Sequence, residues 1–587
     1  MLRPVGGGER DDEGECPGMS TDSTGLAYPF DLGTYSRAVT TRSEEAGVWF
    51  TRGLVWTLAF NHEEADLCFR TALEHDPTCA MAHWGVALAL GPNYNKPWEF
   101  FTPDEARQVL ERARSSAAAA LAGSEGCTAV ERALIAALQV RYPADRPVEE
   151  CQTWEHAFAQ AMGAVHDEHR DDPDVACLYA GALMNLTAWQ LWDGRTGRPA
   201  EGSRTLEARS VLEQALARPG GDRHPGLLHM YIHLMEMSPT PEVALPVAER
   251  LRGLVPDAGH LEHMPSHLHV LVGDYEQALV VNQAASRADA AFVAARGPLN
   301  FSTLYRAHNL HFQVYASMFL GRSGDALRAA EALEAEIPRA LLLVDLPPMA
   351  DWLEAFVPVK VHALVRFGRW QDLVSLPLPQ DPDLYCTTTA MLHYGKGVAS
   401  AALGQVDAAE RERELFRGSV ARVPASRMLF NNTSLDLLQV ADAMLDGEVD
   451  YRRGRVEEAF EHLRRAIELD DALPYDEPWG WLQPTRHAYG ALLLEQGRVE
   501  EAERVYRADL GLDDTLPRSL QHPGNVWALH GYHECLVRLG RRELASEIEP
   551  RLRAATDRAD VPVLASCLCR LDAAPTCCTE GPPDRPA

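Results

Sequence analysis

Eight of the chain's 22 histidines fall between residues 229 and 311: His229, His233, His260, His263, His267, His269, His308 and His311. On a helix, His229, His233 and Glu236 stand at i, i+4 and i+7 and project from one face. Neutral imidazole is a favoured ligand of Zn²⁺, Fe²⁺, Cu²⁺ and Ni²⁺. The spacing therefore points to a site for a divalent transition metal, Zn, Fe or Cu, with candidate ligands His229, His233, Glu236, His260, His263, His267, His308 and His311. Met230 follows His229, so HMYIH lacks the glutamate that serves as general base in HExxH metalloproteases. One nearby carboxylate is too few for a carboxylate-rich di-iron bundle. Three readings stand: a metal site, a metal-free groove for a small molecule or peptide, and histidines that merely pack. A metal ion that kept an open coordination position would make the site an enzyme, hydrolytic or oxidative, and without a metal the chain would be a plain protein–protein interaction scaffold.

The elements that must hold these residues are helices. Apolar residues recur at helical spacing along most of the chain, with no alternating strand pattern. A phrase of Gly, four residues and Ala repeats as GDYEQA at Gly273, GRSGDA at Gly321, GQVDAA at Gly404, and GRVEEA at both Gly454 and Gly497. FNHEEA at Phe60 fits with Phe in the Gly slot, and Pro239 fills that slot before Ala244. From Gly454 to Gly497, and from Gly497 to Gly540, the period is 43 residues. Glycine permits a sharp turn between two helices, and alanine lets the second approach the first closely.

The histidines keep register with this repeat. His229, His263 and His311 lie ten residues before their Pro239, Gly273 and Gly321. His233 and His267 lie six before, and His260 and His308 thirteen before. His487 and His530 also sit ten before Gly497 and Gly540. Pro265 suits the first turn of a helix, so a helix is expected to begin near Met264, with His260 and His263 in its lead-in.

This pattern resembles the tetratricopeptide repeat (TPR), most closely in FNHEEADLCFRTALEHDP ending at Pro77. The resemblance implies an all-α fold: a right-handed solenoid, or superhelix, of about ten helical hairpins, whose histidine positions line a concave groove. The period exceeds the family's 34 residues. The phrases AHWGVALALGPNYNKPW, HMYIHLMEMSP, PDAGHLEHMPSH, AHNLHF, NVWALHGYHECL and ADVPVLASCLCR are similar to the tetratricopeptide repeat protein 38-like family. That family is known for its repeats rather than for a settled activity, so the resemblance bears on fold.

Composition bounds the rest. At 587 residues the chain is longer than a single hydrophobic core usually allows. A repeat array over 26–572 is expected, between a disordered leader at 1–25 and a disordered tail at 573–587. The net charge of −30 argues against nucleic acid and anionic membrane surfaces as partners. The first residues contain no apolar signal segment, so a cytoplasmic, reducing compartment is expected. Cys567, Cys569, Cys577 and Cys578 gather near the C-terminus without zinc-site spacing. The stretches 91–98 and 475–487 break the helical pattern with Gly, Pro, Asn and Trp. They read as loops that cap hairpins or touch a ligand.

Overall fold

The computed structural model describes residues 20–21, 27–144 and 151–570. The leader expected at 1–25, apart from Ser20–Thr21, and the tail with Cys577 and Cys578 lie outside the described residues. Ser20–Thr21 pair antiparallel with Ala27–Tyr28, and Met428–Leu429 pair with Asn432–Thr433. Otherwise the architecture is helical, about 67% of the chain, as its apolar periodicity predicts. No helix among the described residues is long and apolar enough to cross a membrane.

The repeating unit is a hairpin of two antiparallel helices. The first pairs α1 (Glu44–Leu58) with α2 (His62–His75). The alanine of the repeated phrase is fully buried at Ala65, Ala278, Ala326, Ala409, Ala459 and Ala502. Its small side chain is what lets the second helix close on the first. The Gly slot of the phrase is left-handed, with φ of 80° at Gly273, 73° at Gly321 and 78° at Gly454. Phe60 adopts the same conformation, φ 58°, without being glycine.

Five further helices position the histidines: α3 (Pro225–Glu236), α4 (Gly259–His263), α5 (Pro265–Val272), α6 (Tyr275–Arg296) and α7 (Thr303–Leu320). The lead-in expected before Pro265 is itself one helical turn, α4. Met264 separates it from α5, because proline at the start of α5 has no N–H to continue a helical ladder.

The array curls so that distant hairpins meet. The Leu58 carbonyl at the end of α1 accepts a bond of 2.7 Å from His229 on α3. Arg296 at the end of α6 donates twice to Glu64 of α2, at 2.6 Å each. Near the other end of the chain, Asp560 accepts the Ser323 and Gly324 amides at 2.6 and 2.8 Å, capping the helix that follows α7.

The turns differ in what surrounds them, which gives a graded test. A Cβ on Gly273 would lie 2.1 Å from the Pro523 carbonyl oxygen, whereas one on Gly454 would meet open space. Gly454→Ala should cost only left-handed backbone strain, about 1–2 kcal/mol. Gly273→Ala should cost clearly more, read as a larger fall in thermal midpoint. Equal falls would show that the Gly273–Pro523 contact does not constrain the fold.

Candidate metal centre

Helix α3 supplies His229, His233 and Glu236; α4 supplies His260 and His263; α5 supplies His267; α7 supplies His308. All are buried, and the most exposed, His308, reaches 7%. They form two groups of three, His229–His233–His260 and His263–His267–His308. Within each, one ligand atom per residue lies within 4.8 Å of the others, a spacing that can hold a metal ion. His233, Glu236 and His267 satisfy the same criterion across the two groups.

The nitrogens converge. His229 Nε2 is 3.1 Å from His260 Nε2, His263 Nε2 is 3.1 Å from His267 Nε2, and His308 Nε2 is 3.4 Å from His267 Nε2. Two imidazole nitrogens bound at 2.0–2.1 Å to one tetrahedral ion stand about 3.3–3.4 Å apart. The observed separations are close to the edges of such a tetrahedron.

Outer partners set the tautomers. The Leu58 carbonyl can only accept, so the Nδ1 of His229 donates to it at 2.7 Å, and the Nε2 of the neutral ring keeps its lone pair. The Nδ1 of His233 lies 3.0 Å from Glu236 Oε1, and the Nδ1 of His267 lies 2.6 Å from Glu236 Oε2. One carboxylate thus grips one imidazole from each triad and turns each Nε2 away from itself. Such carboxylate or carbonyl contacts on the far nitrogen are the usual support of metal-binding histidine. His233 Nε2, His260 Nδ1 and His308 Nδ1 have no hydrogen-bond partner.

Burial keeps the rings neutral, as ligation requires. It lowers His229 to about 4 and His263 to about 3, and it holds His233, His260, His267 and His308 well below the ordinary value, aided by the neighbouring imidazoles. Burial and the adjacent Glu477 push Glu236 upward, and burial raises Glu477 to about 8.

Glu477 is a member that repeat register does not reveal. Its Oε2 stands 3.3 Å from His267 Nδ1, delivered by the 475–487 stretch. The 91–98 stretch delivers Tyr94, whose ring centre is 4.9 Å from that of His233. Both loops therefore fold onto the cluster. Among the described residues, the non-glycine positions with positive φ are Phe60, Trp189 and Phe430, at 58°, 60° and 47°. Each ring lies against a histidine: Phe60 is 4.5 Å from His229, Trp189 is 6.0 Å from His233 and Phe430 is 4.7 Å from His308. Left-handed backbone at bulky residues costs energy and concentrates at functional sites.

Three expectations need correction. The histidines do not line an open groove, because Phe60 and the two loops cover them. A cavity of about 840 Å³ takes Trp189, Trp192, Tyr475 and Trp479 in its wall, and from 225–320 only Met237, so it is not lined by the histidine helices. His311 does not join the cluster. Three residues from His308 on α7, it is turned toward Phe356, ring centres 5.2 Å apart, and shares a small cavity with His362. His487, in the same repeat register, bonds to Asp509 at 3.0 Å and is a satisfied polar group. Cys567 and Cys569 lie apart from the histidines, beside Arg366 and Tyr394.

No family model matches the sequence, and no curated protein matches it. The solved structures it is similar to are distant. A human IFIT1 dimer with m7Gppp-AAAA is 12% identical, covering 88% of this chain and 92% of its own, at a TM-score of 0.30. Yeast Tom70 is 11% identical, covering 86% and 93%, at 0.27. Naa15/Naa10 bound to HypK-THB is 12% identical, covering 87% and 70%, at 0.20. Likeness this weak leaves the ligands of those proteins their own.

The buried imidazoles fix a pH dependence. In the unfolded chain histidine titrates near 6.5; in the folded, metal-stripped protein His229 does so near about 4 and His263 near about 3. Between these values the unfolded state binds more protons on these rings, so their contribution to stability is complete above 6.5 and falls as pH drops, whereas Glu236 and Glu477, raised in the folded state, act in the opposite direction. Each such ring removes up to about 1.4 kcal/mol per pH unit. The six lowered rings outnumber the two raised carboxylates of the cluster, so thermal midpoints of the metal-stripped protein should fall from pH 7 to pH 5, and a midpoint that rises over that range would show that the rings are not buried neutral.

Proposed function

We propose that this chain is a metal-binding helical-repeat protein, in which the histidine cluster holds a divalent transition metal, Zn²⁺, Fe²⁺ or Cu²⁺. The observation that carries the reading is the convergence of buried inward nitrogens: Nε2 of His229 faces that of His260, Nε2 of His267 faces those of His263 and His308, and His233 Nε2 has no hydrogen-bond partner. A buried polar atom left unpaired costs about 1–3 kcal/mol. Packing alone gives no return for placing six imidazoles together, whereas an ion satisfies several at once. The ligand atoms are neutral nitrogens, a donor set that suits Zn, Cu, Ni and Fe and not Mg or Ca. The tetratricopeptide repeat protein 38-like phrases support the repeat frame and include HMYIHLMEMSP and PDAGHLEHMPSH, the segments that carry five of these histidines.

The 840 Å³ cavity favours an extended form of this reading, in which a small molecule or peptide segment reaches the metal. Trp189 belongs both to the cavity wall and to the ring contacts of His233, so it stands between the two. A catalytic metal, hydrolytic or oxidative, would be served from that side. The charge of −30 supports partners other than nucleic acid and anionic membrane. Eight described cysteines, among them Cys68, Cys177, Cys386 and Cys535, are buried and free, which supports a reducing, cytoplasmic setting.

Protein purified without an affinity tag should contain at least one equivalent of a transition metal by elemental analysis, and chelation should lower its thermal midpoint. His233→Ala with His267→Ala should abolish the metal. His393→Ala should not, since His393 pairs with Glu412 at 2.7 Å outside the cluster. A double variant with wild-type metal content would leave a plain interaction scaffold as the reading.

A further inference from the structure

Resting on the metal reading, we propose that the cluster is a paired site that takes two ions, one per histidine triad, with Glu236 as the shared positioning residue between them. The first ion is held by His229, His233 and His260, the second by His263, His267 and His308.

Coordination number gives the first argument. A tetrahedral ion accepts four ligands, and a single ion would leave at least two of the six imidazoles unused in the interior. The six do not surround one point. The short Nε2 contacts link His229 with His260, and His267 with both His263 and His308; no such contact links the two sets. The sets are nevertheless adjacent, with ring centres 5.3 Å apart for His260 and His263 and 5.7 Å apart for His233 and His267.

Glu236 gives the second. Its two oxygens are divided between the triads, Oε1 to His233 and Oε2 to His267, each on Nδ1. A carboxylate that served one ion would hold one ring. This one orients a ring in each set, leaving Nε2 as the ligating atom in both.

Charge gives the third, and it is independent of the imidazoles. Glu236 and Glu477 are buried at 1% and 2% exposure. Among the described residues their carboxylates lie against the neutral rings of His233 and His267 and pair with no Lys or Arg. Burying carboxylates without a cation is costly. Two divalent ions held by neutral nitrogens bring the opposite excess, and the two carboxylates offset part of it. Each triad supplies three ligands, so each ion keeps a fourth position for water or a small ligand, the arrangement of catalytic rather than structural zinc.

The full-length protein, stripped of metal by chelation, is titrated with Co²⁺. Binding is followed by the d–d absorption of the ion, and the bound metal is counted by elemental analysis after desalting. Two equivalents should bind. His229→Ala and His308→Ala, which strike different triads, should each reduce the count to one, and together to none. Glu236→Gln should keep two equivalents but weaken both about 10–100-fold, the usual loss when an outer partner of a ligating histidine is removed. Wild-type protein that saturates at one equivalent overturns the pair and leaves a single-metal site. Protein that binds none overturns both readings. The wild-type count alone decides, so a variant that fails to fold, judged by far-UV circular dichroism, does not remove the test.

Discussion

Water is excluded from a region that holds six imidazoles and two carboxylates, and most of what is unusual in this chain follows from that exclusion. In a low-dielectric interior a charged imidazole is expensive, so the rings are neutral, and a neutral ring has one donor and one acceptor nitrogen to satisfy. Leu58 and Glu236 satisfy the outward nitrogens of His229, His233 and His267. The inward nitrogens have only one another. Two facing imidazole nitrogens can share one proton at most, and a third in the same group finds no partner of the right kind. The geometry is well suited to a cation and poorly suited to its absence.

The repeat frame explains how the rings come together. Successive hairpins place equivalent positions of their first helices side by side, so histidines in matching register become neighbours in space. That part was legible in the sequence: the offsets of His229, His233, His260, His263, His267 and His308 from their turns identify the residues the structure assembles. His311 shows where register stops being sufficient. It shares its offset with His229 and His263, yet its ring meets Phe356 instead of the cluster. His487 shares the offset too and finds Asp509. Register names a position along a helix; the identity of the facing neighbour depends on curvature, which a period of 43 residues does not specify.

What the sequence could not show is the cover. Glu477 and Tyr94 are brought by irregular segments whose paths depend on tertiary contacts, and nothing in their spacing relates them to a histidine. The segments themselves stood out, as breaks in the helical pattern rich in Gly, Pro, Asn and Trp. Phe60 was visible as a departure, a phenylalanine in a slot that elsewhere holds glycine or proline. The reason for the departure needed the structure. The turn requires left-handed backbone, glycine would supply it without strain, and the chain instead carries a ring that closes over His229 and His260, 4.5 and 5.6 Å away.

Trp189 and Phe430 repeat that choice from unrelated parts of the chain. Each accepts a backbone conformation unfavourable for a bulky side chain, and each spends it on a ring placed against the histidines. A repeat protein that bound peptides along an open surface would leave this face accessible. Here three strained aromatic residues and two loops close it, converting the inner face of the array from a binding surface into a sealed compartment whose walls are apolar and whose contents are nitrogen and carboxylate. Closure of that kind raises the strength of every electrostatic interaction inside it. Trp189 also lines the 840 Å³ cavity, so one of the three strained residues separates that cavity from the ring of His233.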